Sequence, residues 1–250
     1  MPDPFVYDFG YSWSVTNGHI VPLTLFGALG AVSVWRRWPA WLGAVCGLVA
    51  VWACAGLVIT HGLFRLNTPL PLMTARFLAS GTGRVLDAGA GSGRAAIGLL
   101  IERPQATVTA LDIYSGYYGI DDNTPERLLA NARIAGVADR VDVRTGDVRR
   151  MPFGNGEFDG VISVAAIDHL REGIPIALDE AARVLKPGGQ FLLVIVNVDL
   201  WARVASPHAL GHHRPADAAW WRARLGEAGF DVVEQGRKPA SLYFLSTRHS

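Results

Sequence analysis

Residues 84–94 read RVLDAGAGSGR, and residues 95–103 continue as AAIGLLIER. Arg84, Val85 and Leu86 lead into an acid, Asp87. Gly89, Gly91 and Gly93 then alternate with small residues. The apolar positions of AAIGLLIER suit one face of a helix. The order is strand, tight glycine turn, helix. A turn without Cβ atoms lets the main chain come close to a ligand, and it aims the free N–H groups of the helix at that ligand.

Two ligands compete for this turn. Gly91, Gly93 and Ala96 fit the G-x-G-x-x-G/A spacing of dinucleotide folds. The fuller pattern is D-x-G-x-G-x-G, with an acid closing the strand. A carboxylate there suits a ligand that brings an ammonium group near the turn better than it suits a pyrophosphate. S-adenosylmethionine is such a ligand, and the pattern favours it; on the glycines alone a dinucleotide stays open.

At 250 residues the chain has room for one catalytic domain and a small appendage. Net charge is +1, and no long basic run appears. The densest basic group, Arg140, Arg144, Arg149 and Arg150, reads as a solvated face, so no nucleic-acid partner is expected. Half of the residues are hydrophobic, and the excess lies near the start. Residues 20–35 and 42–60 carry no charge, and RRWPAW, residues 36–41, separates them. A spanning helix needs about 20 mostly apolar residues. Residues 1–60 are therefore read as a tail and a transmembrane helical hairpin, a two-pass membrane anchor. Gly27, Gly30, Gly43 and Gly47 supply small residues for close helix packing, and Trp13, Trp35, Trp38 and Trp41 suit the interfacial belt. Buried or re-entrant helices, or a hairpin lying on the membrane surface, are the alternatives. The first nineteen residues hold Asp3 and Asp8 and no Lys or Arg, unlike a signal peptide. Cys46 and Cys54 read as small buried hydrophobes. Arg36 and Arg37 in the loop are balanced by Arg65 and Arg76 beyond the hairpin, so the positive-inside rule is near a tie. A cytosolic cofactor places the catalytic domain and both termini in the cytoplasm.

Residues 61–83 read as a linker that becomes a capping helix around Leu72 to Leu78, stopped by Gly81 and Gly83. Residues 84–250 alternate strands with helices, which defines a doubly wound α/β sheet. The second strand, residues 107–113, ends in Asp112. In such a sheet, ligands sit at the carboxyl ends of strands, where this acid suits both hydroxyls of a ribose or, more plainly, caps the next turn. Residues 114–123, YSGYYGIDDN, form a long aromatic loop; Tyr114, Tyr117 and Tyr118 are either a lid or packing. Thr124 and Pro125 then start a helix that Gly136 ends. Asp147, after the third strand (residues 141–147), is placed to accept from the exocyclic amine of adenine, with Val148 against the ring. The fourth strand, 158–164, delivers AAIDHLR to the point where an acceptor would meet the methyl group. Residues 186–189 read as a turn and 190–197 as a buried fifth strand. A last helix (216–228) precedes a closing hairpin. Candidate bases are Asp168, His169, His208, His212 and His213; His169 is the best placed, with a capping role equally open. Adjacent histidines at 212 and 213 point in different directions, so no metal is expected.

VLDAGAGSG, LDI, TGDVRRMPF, GEFDGVIS and RVLKPGG stand in the order and spacing of a known family. Over residues 72–248 the chain resembles class I S-adenosylmethionine-dependent methyltransferases, most of all the branch with the quinone-biosynthesis and sterol C-methyltransferases. The resemblance implies a seven-stranded, mostly parallel, Rossmann-like sheet with a reversed final strand, and S-adenosyl-L-methionine as cofactor. It implies cofactor contacts at Asp87, Gly89, Gly91, Asp112, Ile113, Asp147 and Val148; Ala90 and Gly146 beside them complete the expected set. The hairpin and the long loop depart from the family, and no complete quinone-methyltransferase signature follows the fourth strand. The expected function is methyl transfer to a small, lipophilic acceptor at the membrane, with His169 and Asp168 as the catalytic pair. A non-catalytic cofactor-binding membrane sensor or scaffold is the alternative.

Overall fold

The computed structural model describes residues 7–115, 120–206 and 217–249. They divide into two compact units, one made of residues 11–66 with 198–213, the other of residues 1–10, 67–197 and 214–250.

The first unit holds a short helix α1 (Trp13–Asn17), then α2 (Ile20–Trp35) and α3 (Ala40–Val58), which runs on as a π-helical segment, Ile59–Phe64. Counted with these extensions, the stretches Trp13–Trp35 and Ala40–Phe64 are 23 and 25 residues long, and both are long and apolar enough to cross a membrane. Their large side chains face outward: Val34, Trp35, Trp41, Leu48, Val51 and Val58 are all more than 60% exposed. A helix in a soluble core would bury such groups. Only part of the expected glycine seam packs the pair. A Cβ on Gly43 would lie 2.9 Å from Ser33 Oγ and one on Gly30 3.6 Å from Cys46 Cβ, whereas Gly27 and Gly47 meet nothing within 4 Å. Cys46 is buried as expected, but Cys54 is exposed on the outer face of α3.

The second unit is built on seven strands: β1 (Thr82–Ala88), β2 (Gln105–Asp112), β3 (Val141–Thr145), β4 (Phe158–Val164), β5 (Leu185–Val196), β6 (Phe230–Lys238) and β7 (Ser241–Arg248). Their order is β3-β2-β1-β4-β5-β7-β6. Neighbours from β3 to β5 pair in parallel, and β7 runs antiparallel to β5 and β6. The sequence of β5 explains its central place. Phe191, Leu192, Leu193, Val194 and Ile195 are all buried, because helices cover both faces and a continuous apolar run is what such a strand needs. α4 (Arg94–Glu102), α5 (Pro125–Ile134), α6 (Ile174–Val184) and α8 (Ala218–Glu227) supply that cover, and a short α7 (Leu200–Ala205) belongs to the first unit. α5 starts as its sequence dictates, with Thr124 accepting from Arg127 N–H and Pro125 at the first position.

Two expectations fail locally. Residues 65–81 form turns and bends, not a capping helix. Gln190 accepts from the Leu78 N–H, a group such a helix would pair internally, and Arg103 donates to the carbonyls of Phe77 and Ala75. Residues 186–189 are an irregularity within β5, whose pairing jumps from Phe158–Leu185 to Gly160–Gln190.

Three motifs of the resemblance, those holding MPF, GEFDG and RVLKPGG, meet near the amino ends of the strands. Asp159, from GEFDG, accepts from Arg84 N–H at 2.8 Å and pairs with Lys186 of RVLKPGG at 2.6 Å. Arg183 of that same motif donates to the carbonyls of Met151 and Phe153, in the MPF stretch, while pairing with Glu180. Glu180 in turn accepts from Met151 N–H.

Candidate active site

The glycine turn joins the carboxyl end of β1 to α4. Gly89, Gly91 and Gly93 have φ of +84°, +53° and +89°, a region where a side chain costs energy and glycine does not. Each also clears space. A Cβ on Gly89 would overlap Ala166, just past β4, and one on Gly93 would lie 2.8 Å from Leu128 of α5. The turn is therefore packed directly against the segment that follows β4.

Asp87 lies beneath this turn, fully buried, and both its carboxylate oxygens lack a hydrogen-bond partner. The Ala96 N–H faces it and favours its charge, but falls short of hydrogen-bond geometry. Burial first, and then the nearby Asp112 charge, push its pKa up from 3.8 to about 7. An orphaned buried carboxylate is costly, and its two acceptor oxygens are what a ligand's ammonium group, a donor, satisfies. The Tyr114 hydroxyl is also buried without a partner. Burial, and then the charges of Asp112 and Asp87, hold this phenol protonated. These orphaned groups fit the polar end of S-adenosylmethionine.

Asp112, at the end of β2, accepts from Gly91 N–H at 2.8 Å, Tyr114 N–H at 2.7 Å and Asn123 Nδ2 at 3.2 Å. A carboxylate has about four acceptor positions, so two ribose hydroxyls require one of these bonds to yield, and that to Asn123 is the longest. Ala90 is buried in the turn, its N–H donating to Leu111 O, and Ile113 is 48% exposed beside Asp112. Gly146 donates to Asp112 O at 2.9 Å. The Asp147 carboxylate is taken up by Arg149, with an N–O distance of 2.6 Å, and this hydrogen bond holds it below the usual carboxylate range. Val148 sits in the core cluster with Leu111 and Met151. The geometry thus brings Asp87, Gly89, Ala90, Gly91, Asp112 and Gly146 together, while the Asp147 and Val148 side chains are engaged elsewhere.

Asp168 and His169 lie in one 3₁₀ turn, Ile167–His169, directly after β4. One Asp168 oxygen accepts from Val196 N–H at 2.9 Å; the other is buried with no hydrogen-bond partner. Burial pushes this carboxyl up, against the opposing pull of His169. The free acceptor oxygen was not readable in the sequence, which favoured the histidine. It depends on β5 ending beside this turn, a long-range fact. Tyr117, Tyr118, His208, His212 and His213 lie outside the described residues. Among the described residues no cluster of three metal-ligating side chains occurs.

An open α/β sheet of this order, with an acid-tipped glycine turn at its switch point, defines a nucleoside-binding transferase fold. The family profile described as a methyltransferase domain matches residues 86–193. A protein of Encephalitozoon cuniculi named as a methyltransferase is 30% identical over 68% of this chain and 82% of its own length. The ubiquinone/menaquinone biosynthesis C-methyltransferase UbiE of Bartonella bacilliformis is 33% identical over 50% of this chain, which spans 49% of that protein. In fold, an O-methyltransferase family 2 protein from Planctomyces limnophilus, solved with apigenin, superposes with a TM-score of 0.57 at 18% identity, covering 82% of this chain and 70% of that one. The chain belongs to the class I S-adenosylmethionine-dependent methyltransferases. S-adenosyl-L-methionine is the cofactor of that class.

Proposed function

We propose that this protein transfers a methyl group from S-adenosylmethionine to a small, lipophilic acceptor at a membrane, with its catalytic unit on the cytoplasmic side. The observation that carries the transfer is the buried, unpartnered Asp87 under the glycine turn. The outward apolar faces of α2 and α3 support the membrane location, since exposed apolar surface on this scale calls for lipid or a partner. The lipid-like acceptor is also supported by the ubiquinone/menaquinone biosynthesis in the name of the Bartonella relative.

The cofactor supplies a methyl group on a sulfonium, already activated toward a nucleophile. The residues of the chain have three tasks. Asp87 holds the ligand's ammonium group. Asp112 fixes the ribose and so the direction of the methyl group; alignment of this kind is worth up to about 7–11 kcal/mol in the best intramolecular cases. Asp168, through its free oxygen, takes the acceptor's proton, with His169 beside it to orient the acceptor; such a base contributes about 10²–10⁴-fold.

The test is methylation of a membrane lipid extract with radiolabelled S-adenosylmethionine by the full chain in detergent. Label in organic-soluble products supports the reading. Label confined to water-soluble products refutes the lipid acceptor. Tight cofactor binding with no S-adenosylhomocysteine formed in the presence of membranes favours a sensor or scaffold instead.

A further inference from the structure

Residues 7–10, far from the glycine turn in sequence, are held against it by two buried polar side chains. Asn131 of α5 is 1% exposed and Ser92 of the turn 2%. Asn131 reads the main chain of Asp8 from both sides: its Oδ1 accepts from Asp8 N–H at 3.0 Å and its Nδ2 donates to Asp8 O at 2.7 Å. Ser92 Oγ donates to Phe9 O at 2.7 Å, and Asn131 Nδ2 also reaches Ser92 O at 3.2 Å. Phe9 is fully buried, with Tyr7 stacked on it at 5.5 Å. Without residues 8 and 9, Ser92 would lose its acceptor and Asn131 most of its partners, in a place closed to water. The body of this unit is unfinished without this strap.

The strap also fixes the loop that leads back to Asp112. Asp8 Oδ1 accepts from Gly10 N–H at 2.9 Å and pairs with Arg127 at 2.6 Å, while Gly10 O accepts from Asp121 N–H at 2.7 Å. Gly10 has φ of +74°, and a Cβ on it would stand 2.7 Å from Asp121 O and 2.8 Å from Ile120 Cγ2. The Ile120 Cδ1 lies over Gly91, 3.0 Å from where a Cβ would project. Two residues on from Asp121, Asn123 donates to Asp112.

We propose that residues 8–10 are positioning residues of the cofactor site: the strap holds residues 120–123 over the glycine turn so that Asp112, itself held by the Gly91 N–H, is presented to the ligand. This inference rests on the S-adenosylmethionine reading above. Its class of effect is on cofactor affinity, with the chemistry of transfer untouched.

The experiment is calorimetric titration of the full chain, in detergent, with S-adenosylmethionine, for wild type, Gly10→Ala and Gly81→Ala, beside their melting temperatures. Gly81 has φ of +80° and nothing within 4 Å of an added Cβ, so it carries the same backbone strain away from the strap. Gly10→Ala is expected to weaken binding by about tenfold or more, as loss of a positioned hydrogen bond does, while Gly81→Ala stays within about twofold. Equal losses in the two variants, or none in Gly10→Ala, overturn the strap. If Gly10→Ala does not fold, Asp8→Ala takes its place, with Asp8→Asn, which keeps the acceptor oxygen for Gly10 N–H, expected to bind more tightly than Asp8→Ala; equal binding by these two overturns it. A folded wild type that binds no cofactor refutes the underlying site reading itself, and the strap's role with it.

Discussion

Replacing Asp87 by Asn should raise stability at pH 8 and weaken cofactor binding together. The folded carboxyl has a pKa of about 7 against 3.8 for the free group. Between those values the folded state holds more protons than the unfolded chain, so wild-type stability falls as pH rises from about 4 to 7. At 1.36 kcal/mol per unit, the loss above pH 7 is about 4 kcal/mol. An Asn of the same shape escapes the charge but leaves its amide unpaired, at about 1–3 kcal/mol. The net gain at pH 8 is then about 1–3 kcal/mol, or several degrees at roughly 2–4 °C per kcal/mol for a chain of this size. Affinity moves the opposite way. The ionised fraction of Asp87 climbs from roughly 3% at pH 5.5 to roughly 76% at pH 7.5, so wild-type affinity for S-adenosylmethionine should rise about 25-fold over a range that keeps the ligand's amine mostly charged. Asp87→Asn should bind weakly and without that slope. Calorimetric titrations across this range, with melting curves at pH 5.5 and 8, check both. A variant less stable than wild type at pH 8, or a wild type whose affinity ignores pH, would refute the reasoning.

Gly89→Ala should lose turnover almost completely, because its Cβ overlaps Ala166 and drives the Asp168 turn away; a single-turnover assay with the cofactor affinity measured beside it tests this. Asp168→Asn should lower kcat by about 10²–10⁴-fold with cofactor affinity kept, and wild-type kcat should rise with pH as the carboxyl, raised by burial, ionises. Two helix glycines should respond with opposite signs. Gly226→Ala, with nothing near its Cβ, should stabilise by about 0.5–1 kcal/mol, whereas Gly98→Ala should destabilise, because its Cβ overlaps Leu70 O; denaturant melts decide. Leu48→Lys, on the outer face of α3, should shift the protein from membrane to soluble or aggregated fractions, since a mid-helix Lys costs about 2.5–3.5 kcal/mol on insertion.

The sheet was legible because its signals are local. FLLVIV in β5 needs both faces covered, Thr124-Pro125 starts a helix, and three glycines after an acid make a turn, each from a few adjacent residues. The misses share a different cause. Residues 72–78 have a helical pattern, yet Arg103 and Gln190 from distant elements take their polar groups. The free oxygen of Asp168 and the strap at residues 7–10 exist only once β5, α5 and the chain's early residues meet. Asn131 and Ser92 stand in a helix and a turn, and nothing near them in sequence names residues 8 and 9 as their partners.

The Asp159–Lys186 pair and the Arg183 cluster hold the sheet at its amino ends, whereas Asp87, Asp112 and Asp168 lie at the carboxyl ends. The motifs GEFDG and RVLKPGG and the residues of the candidate site thus lie at opposite ends of one sheet. A relative could exchange every residue of the working end, take up another acceptor or give up turnover, and still carry GEFDG and RVLKPGG unchanged. Kinship read from those motifs certifies the frame, and the reaction has to be read from the other edge.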